Sequence, residues 1–114
     1  MPQTPKPLSP GEATMEQHLR CHGISFDREV RLIPERRWRA DFVLPDPYRI
    51  VIEVDGGIWN GGRHGRGAGI ESAYEKINRF TLAGYRCFRY STRQVISGMA
   101  IDDVLCAIGA TEPV

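Results

Sequence analysis

A chain of 114 residues with a formal charge of +1 and 41% hydrophobic residues has room for one domain with a modest core, and its composition is that of an ordinary globular protein. No apolar run approaches the roughly 18 residues that a membrane span needs, and the N-terminus, MPQTPKPLSPGE, lacks the apolar centre of a signal peptide, so a cytoplasmic protein is expected. The three cysteines, Cys21, Cys87 and Cys106, are scattered and without CxxC spacing; they argue against a disulfide framework or a structural zinc site and predict reduced, mostly buried thiols.

Residues 1–10 contain four prolines and are expected to form a mobile tail before a single domain over 11–114. Met15, Leu19 and His22 recur at helical spacing, which predicts a helix over 12–22 that stops at Gly23. EVRLI, 29–33, alternates as a short strand. RADFVL, 39–44, and RIVIEV, 49–54, form a hairpin around the turn PDPY. Residues 56–69 hold seven glycines and must be a loop. A helix over 71–83 buries Ala73, Ile77 and Phe80 on one face and ends at Gly84, with Leu82 off that face and packed at the helix end. YRCFRY, 85–90, alternates as a strand, and a helix over 101–108 closes the chain. The expected class is α/β of the α+β kind: a small mixed sheet flanked by helices, in the order α-β-β-β-α-β-α.

The hairpin carries acids where packing would favour apolar residues. With a turn symmetric about Pro47, Leu44 faces Ile50 and Asp41 faces Glu53. Alternation then puts Asp41, Glu53 and Asp55 on one face, and Phe42, Leu44, Ile50, Ile52 and Val54 on the core face. Carboxylates directly across a strand pair repel, so the arrangement calls for a cation between them or a proton on one of them. By the same reasoning, replacing either acid with its amide should leave the metal-free fold at least as stable. Clustered hard oxygen ligands suit Mg2+, with Mn2+ as a substitute. The alternative is that the three acids face solvent on a one-sided sheet.

The cations are distributed unevenly. From Lys76 to Arg93 there are five (Lys76, Arg79, Arg86, Arg89, Arg93) and no acid; Arg36, Arg37 and Arg39 precede the first acidic strand, and Arg63 and Arg66 flank His64. An acidic centre within a basic surround suits a polyanion held over a metal; solvated surface arginines are the plainer reading.

Asp41, an eleven-residue gap and then Glu53-Val54-Asp55 resemble the core of the PD-(D/E)XK nuclease superfamily, with Asp55 where the lysine usually stands. RADF, IVIEVDGGIW with a following histidine, and YEKINRFTLAGYRCFRYS are similar to the very-short-patch-repair-like endonuclease branch, over about residues 12–96. The resemblance implies a restriction-endonuclease-like core and a Mg2+-dependent DNA endonuclease acting in DNA repair or recombination. It makes Asp41 and Glu53 metal ligands and Asp55 a further one. Glu16 becomes either the helix acid that orients water or a solvated glutamate. His64 becomes a proton donor, a water-positioning group or a phosphate contact. Lys76, on the following helix, replaces the missing strand lysine or is a surface lysine. Arg37, Arg39, Arg63, Arg66 and Arg79 are the expected DNA-backbone contacts, and Trp59 either stacks on bases or packs the loop root. The competing reading is a catalytically silent DNA-binding module of the same fold. A metal-binding protein with no nucleic-acid partner leaves the basic strip unexplained. No protein partner is legible, and monomer and homodimer both stay open.

Overall fold

The computed structural model describes residues 8–56 and 68–111. Its elements are α1 (Pro10–Cys21), β1 (Asp27–Val30), β2 (Ala40–Leu44), β3 (Ile50–Asp55), α2 (Ala68–Leu82), β4 (Arg86–Ser91), α3 (Thr92–Ile96) and α4 (Met99–Ala107). The expected order holds, with one further five-residue helix, α3, ahead of the last. The four strands form one mixed sheet in sequential order, β1-β2-β3 antiparallel and β3-β4 parallel. The β3-α2-β4 segment is the crossover that a parallel pair requires. Among the described residues no helix is long and apolar enough to cross a membrane.

Each face of the sheet buries its own cluster. Phe42, Leu44, Ile50, Ile52, Val54 and Tyr90 pack under Met15 and Leu19 of α1, Val95 of α3, and Ala100, Ile101 and Val104 of α4. On the other face Val43 and Val51 pack with Ala40 and with Phe80 of α2. The sheet is therefore covered on both sides, which overturns the solvent-facing alternative for the acids. The register at the hairpin is the expected one, Leu44 opposite Ile50 and Phe42 opposite Ile52.

Local chemistry sets most boundaries. Helix α1 begins two residues earlier than periodicity suggested. Ser9 caps it, Pro10 opens it, and Ser9 and Glu12 form a reciprocal capping box. Strand β1 occupies 27–30 rather than 29–33. Arg28 lies over the Phe42 ring on the α1 face, whereas Val30 packs with the α2-side cluster. Glu29 between them sits at φ +51°, so the strand turns there, and Leu32 and Ile33 pack at the sheet margin instead of extending it. Helix α2 buries Phe80 and half-buries Ala73 and Ile77, but Leu82 is 82% exposed instead of packing at the helix end. The Arg49 guanidinium caps that end: it donates to Ala83 O at 2.8 Å and Gly84 O at 3.3 Å and stacks on Tyr85. The cysteines are free, as expected, but Cys21 is exposed and Cys87 and Cys106 are only half-buried.

Gly11 fixes how closely α1 approaches the sheet. A Cβ there would stand 2.8 Å from both Val54 Cγ1 and Thr92 Oγ1. Gly11→Ala, which in an exposed helix would gain about 1 kcal/mol of propensity, is here expected to lower the melting temperature, because the β-branched Val54 cannot move aside within the core. Thermal unfolding of the variant checks the sign.

Candidate functional site

The ladder between β2 and β3 has its last rung at Phe42 and Ile52, while β2 stays paired to β1 as far as Ala40. In the opening beyond that rung the two acids bond across to the opposing backbone. Asp41 N–H donates to Glu53 Oε2 at 2.7 Å, and Val54 N–H donates to Asp41 Oδ2 at 2.8 Å. Each carboxylate thus satisfies a backbone donor of the opposing strand, and this draws Asp41 and Glu53 together at one end of the hairpin.

Lys76 completes the arrangement. It lies one turn before Phe80 on α2, and residues four apart share a helix face. Phe80 closes the apolar half of the sheet face, over Val43 and Val51. Lys76 then falls over the acidic half, where its Nζ meets Glu53 Oε1 at 2.5 Å. Glu53 is 8% exposed and is the buried charged residue among those described; a carboxylate so placed needs both its cation and its hydrogen bond.

Asp41 has weaker compensation. Burial first, and the Glu53 charge second, push its carboxyl up to about 6, against the lowering effects of the Val54 hydrogen bond and Lys76. Its Oδ1 meets no donor among the described residues. The charge of Glu12 also reaches it. Glu12, not singled out in the sequence, shares the Arg28 guanidinium with Glu16: Arg28 Nη2 lies 2.9 Å from Glu12 Oε2 and Nη1 lies 3.9 Å from Glu16 Oε1. Glu16 also lies 3.7 Å from Arg20. Arg28 Nε donates to Asp41 O at 2.9 Å. The serine three residues before Glu12 was the signal for its place at the helix start; nothing local to the sequence marked Arg28.

Asp55 shares the acid face but turns to Arg89, 3.0 Å away. The expected three-acid cluster is therefore not assembled: among the described residues no group of three or more His, Cys, Asp or Glu side chains is placed to hold a metal ion. The reason is charge pairing, since Glu53 and Arg89 are register partners on neighbouring strands and Asp55 lies within reach of the arginine. What remains is a two-carboxylate donor set in which one Asp41 oxygen meets no donor among the described residues, which fits a Mg2+ or Mn2+ ion that keeps most of its waters. Arg37, Arg39 and Arg79 are exposed and make no ion pair or side-chain hydrogen bond among the described residues. Arg36, by contrast, binds Glu75 of α2 at 2.9 and 3.2 Å and stacks on Trp38, so it ties the 31–39 loop to that helix. Trp59, Arg63, His64 and Arg66 lie outside the described residues. Two open clefts of about 390 and 330 Å3 lie around Gly23–Ser25, the second reaching the hairpin turn, at the far end of the hairpin from the acids.

Among solved structures, the chain is similar to the catalytic domain of the homing endonuclease I-Bth0305I, with a TM-score of 0.65 and 16% identity, covering 89% of this chain and 94% of that one. The two share a fold across nearly their whole lengths. No protein-family model and no curated protein matches the sequence.

The two acids should respond oppositely to amide substitution, contrary to the expectation from repulsion alone. The folded-state pKa of Asp41, about 6, lies above its ordinary value of 3.8, so the folded chain holds that proton more tightly than the unfolded one. Stability should therefore fall as pH rises from about 4 to about 6, by up to about 3 kcal/mol from this group. In metal-free buffer Asp41→Asn should be the more stable protein at neutral pH and lose that advantage towards pH 4. Glu53→Gln should be destabilised, since it strips Lys76 of its carboxylate. Denaturant midpoints of the three proteins across this pH range check both signs.

Proposed function

We propose that this chain is a divalent-metal-dependent DNA endonuclease of the very-short-patch-repair-like kind. The observation that carries the reading is the Asp41, Glu53 and Lys76 constellation, built at one end of the hairpin in a fold shared with an endonuclease catalytic domain. Phosphodiester hydrolysis needs an aligned water, neutralisation of the phosphoryl oxygens and help for the leaving 3′-oxygen. Asp41 and Glu53 would hold Mg2+, or Mn2+ in its place, which supplies charge neutralisation at the phosphate and acidifies water.

The chain's own residues perform the remaining tasks. Lys76 brings a cation to the acid pair from α2, where the usual strand position holds Asp55. Its ammonium is placed to bind a phosphate oxygen or the attacking water, while Glu53 fixes its direction. Asp55, engaged with Arg89, joins the ligand set only by giving up that surface pair, a small cost for charges this exposed. Arg37, Arg39 and Arg79 supply free guanidinium groups for backbone phosphates. His64, Arg63, Arg66 and Trp59 keep the roles the sequence suggests for them, proton donation or water positioning, phosphate contact and base stacking. The silent DNA-binding module remains the second reading, and the Asp55–Arg89 pair favours it, because that pair draws Asp55 away from the other two acids.

Supercoiled plasmid incubated with Mg2+ is expected to be nicked or linearised, and EDTA to stop the reaction. DNA binding without cleavage under any divalent ion would establish the silent module instead. Lys76→Ala should lower the single-turnover cleavage rate by about a hundredfold, with DNA affinity little changed. Lys76→Arg should recover only part of the rate, because a planar guanidinium does not reproduce a point charge. Full activity in Lys76→Ala would remove this lysine from the chemistry.

The arginines separate by partner. Replacing Arg37 and Arg39 together with alanine should weaken DNA binding and reduce the slope of log K against log salt by about two contacts' worth, with the melting temperature unchanged. Arg36→Ala should instead lower the melting temperature, since it loses Glu75 and Trp38. Salt titrations and thermal scans of the variants distinguish the two roles.

A further inference from the structure

We propose that Arg28 is a positioning residue for the acid pair, acting on Asp41 from the opposite face of the sheet. The consequence for catalysis rests on the nuclease reading; the positioning itself does not.

The Arg28 guanidinium makes two directed hydrogen bonds and one longer ion contact. Nε donates to the Asp41 carbonyl at 2.9 Å, Nη2 to Glu12 Oε2 at 2.9 Å, and Nη1 lies 3.9 Å from Glu16 Oε1. Its Cζ stands 4.4 Å from the Phe42 ring centroid, and the side chain is 20% exposed. A planar fork held at this many points is nearly immobile. One end is anchored on α1, whose N-terminus is itself pinned by the capping box and by the close approach of Gly11 to Val54 and Thr92. The other end grips the backbone of the residue whose side chain enters the acid site.

The grip falls where the sheet changes character. β1 and β2 pair through Arg28 with Phe42 and Val30 with Ala40, so Glu29 stands across from Asp41. Glu29 has a left-handed backbone, φ +51°, a conformation that costs an L residue about 1 kcal/mol or more unless its surroundings impose it. At the same rung the Asp41 carbonyl takes the Arg28 Nε–H, and on its other side β2 parts from β3. That opening lets Asp41 N–H reach Glu53 Oε2 and Val54 N–H reach Asp41 Oδ2. Arg28 thus holds the rung open, and the two crossed hydrogen bonds report on whether it does so.

The test compares wild type, Arg28→Met, which keeps an apolar stem over Phe42 without donors, and Arg28→Lys, which keeps the charge without the fork. Amide hydrogen exchange in the metal-free protein reads the Asp41 and Val54 N–H groups against Val104, in the buried part of α4. In Arg28→Met both amides should exchange about tenfold or more faster relative to Val104. Single-turnover cleavage with Mg2+ should fall by about tenfold or more while the Kd for DNA stays within about twofold. Arg28→Lys should restore the melting temperature but neither the amide protection nor the rate. Should Arg28→Met fail to fold, Glu12→Gln carries the same test, because it loosens the anchored end and should raise both ratios in the same direction. Unchanged amide ratios, or full rescue by Arg28→Lys, overturn the proposal. If wild type cleaves no DNA, the nuclease reading fails, and the amide ratios still decide the role of Arg28.

Discussion

A buried carboxylate organises this molecule. Glu53 sits on a central strand of a sheet covered on both faces, and a charge in that position is tolerable only if its oxygens are engaged. One oxygen takes the ammonium of Lys76 and the other the N–H of Asp41. Those two bonds tie three elements at one point: β3, which carries the acid; β2, which supplies the amide; and α2, which supplies the cation. The crossover helix cannot slide along the sheet without parting Lys76 from Glu53, and β2 cannot close onto β3 without disturbing the crossed hydrogen bonds.

The same point explains how one sheet face serves two purposes. Below the last hairpin rung it is apolar, with Val43 and Val51 under Phe80; above it is acidic, with Asp41, Glu53 and Asp55. Helix α2 matches both halves with residues four apart, Phe80 and Lys76, so apolar packing and ion pairing fix the same helix orientation. The cost is concentrated on Asp41, whose carboxyl is held above its ordinary range first by burial and second by the Glu53 charge beside it.

Arginines do unlike work in the same chain. Arg36 and Arg49 are structural, the first joining a loop to α2 and the second capping that helix. Arg28 bridges the Asp41 carbonyl and the Glu12 carboxylate, and Arg89 is occupied by Asp55. Arg37, Arg39 and Arg79 are exposed and make no ion pair or side-chain hydrogen bond among the described residues. A count of basic residues along the chain does not separate these groups; the position of each guanidinium relative to carboxylates on other elements does.

The hairpin register and the shared face of Asp41 and Glu53 were legible because they depend on strand period and turn symmetry, both local properties. The element order was legible for the same reason, whereas periodicity placed the start of α1 two residues late because the Ser9 cap lies outside the apolar repeat. What the sequence by itself determined is therefore a mixed α+β domain with two acids converging at one end of a hairpin. Only the tertiary structure decided which charges those acids meet. The Glu53–Lys76 pair spans 23 positions, Asp55–Arg89 spans 34 and Arg28–Glu12 spans 16; helix placement chose the first and last and the parallel β3–β4 register the second, and periodicity encodes neither. On that account the structure predicts opposite responses of Asp41 and Glu53 to amide substitution, where repulsion alone predicts the same one. The sequence shows two like charges facing each other, whereas the fold brings a lysine onto one of them and buries the other beside it with its pKa raised.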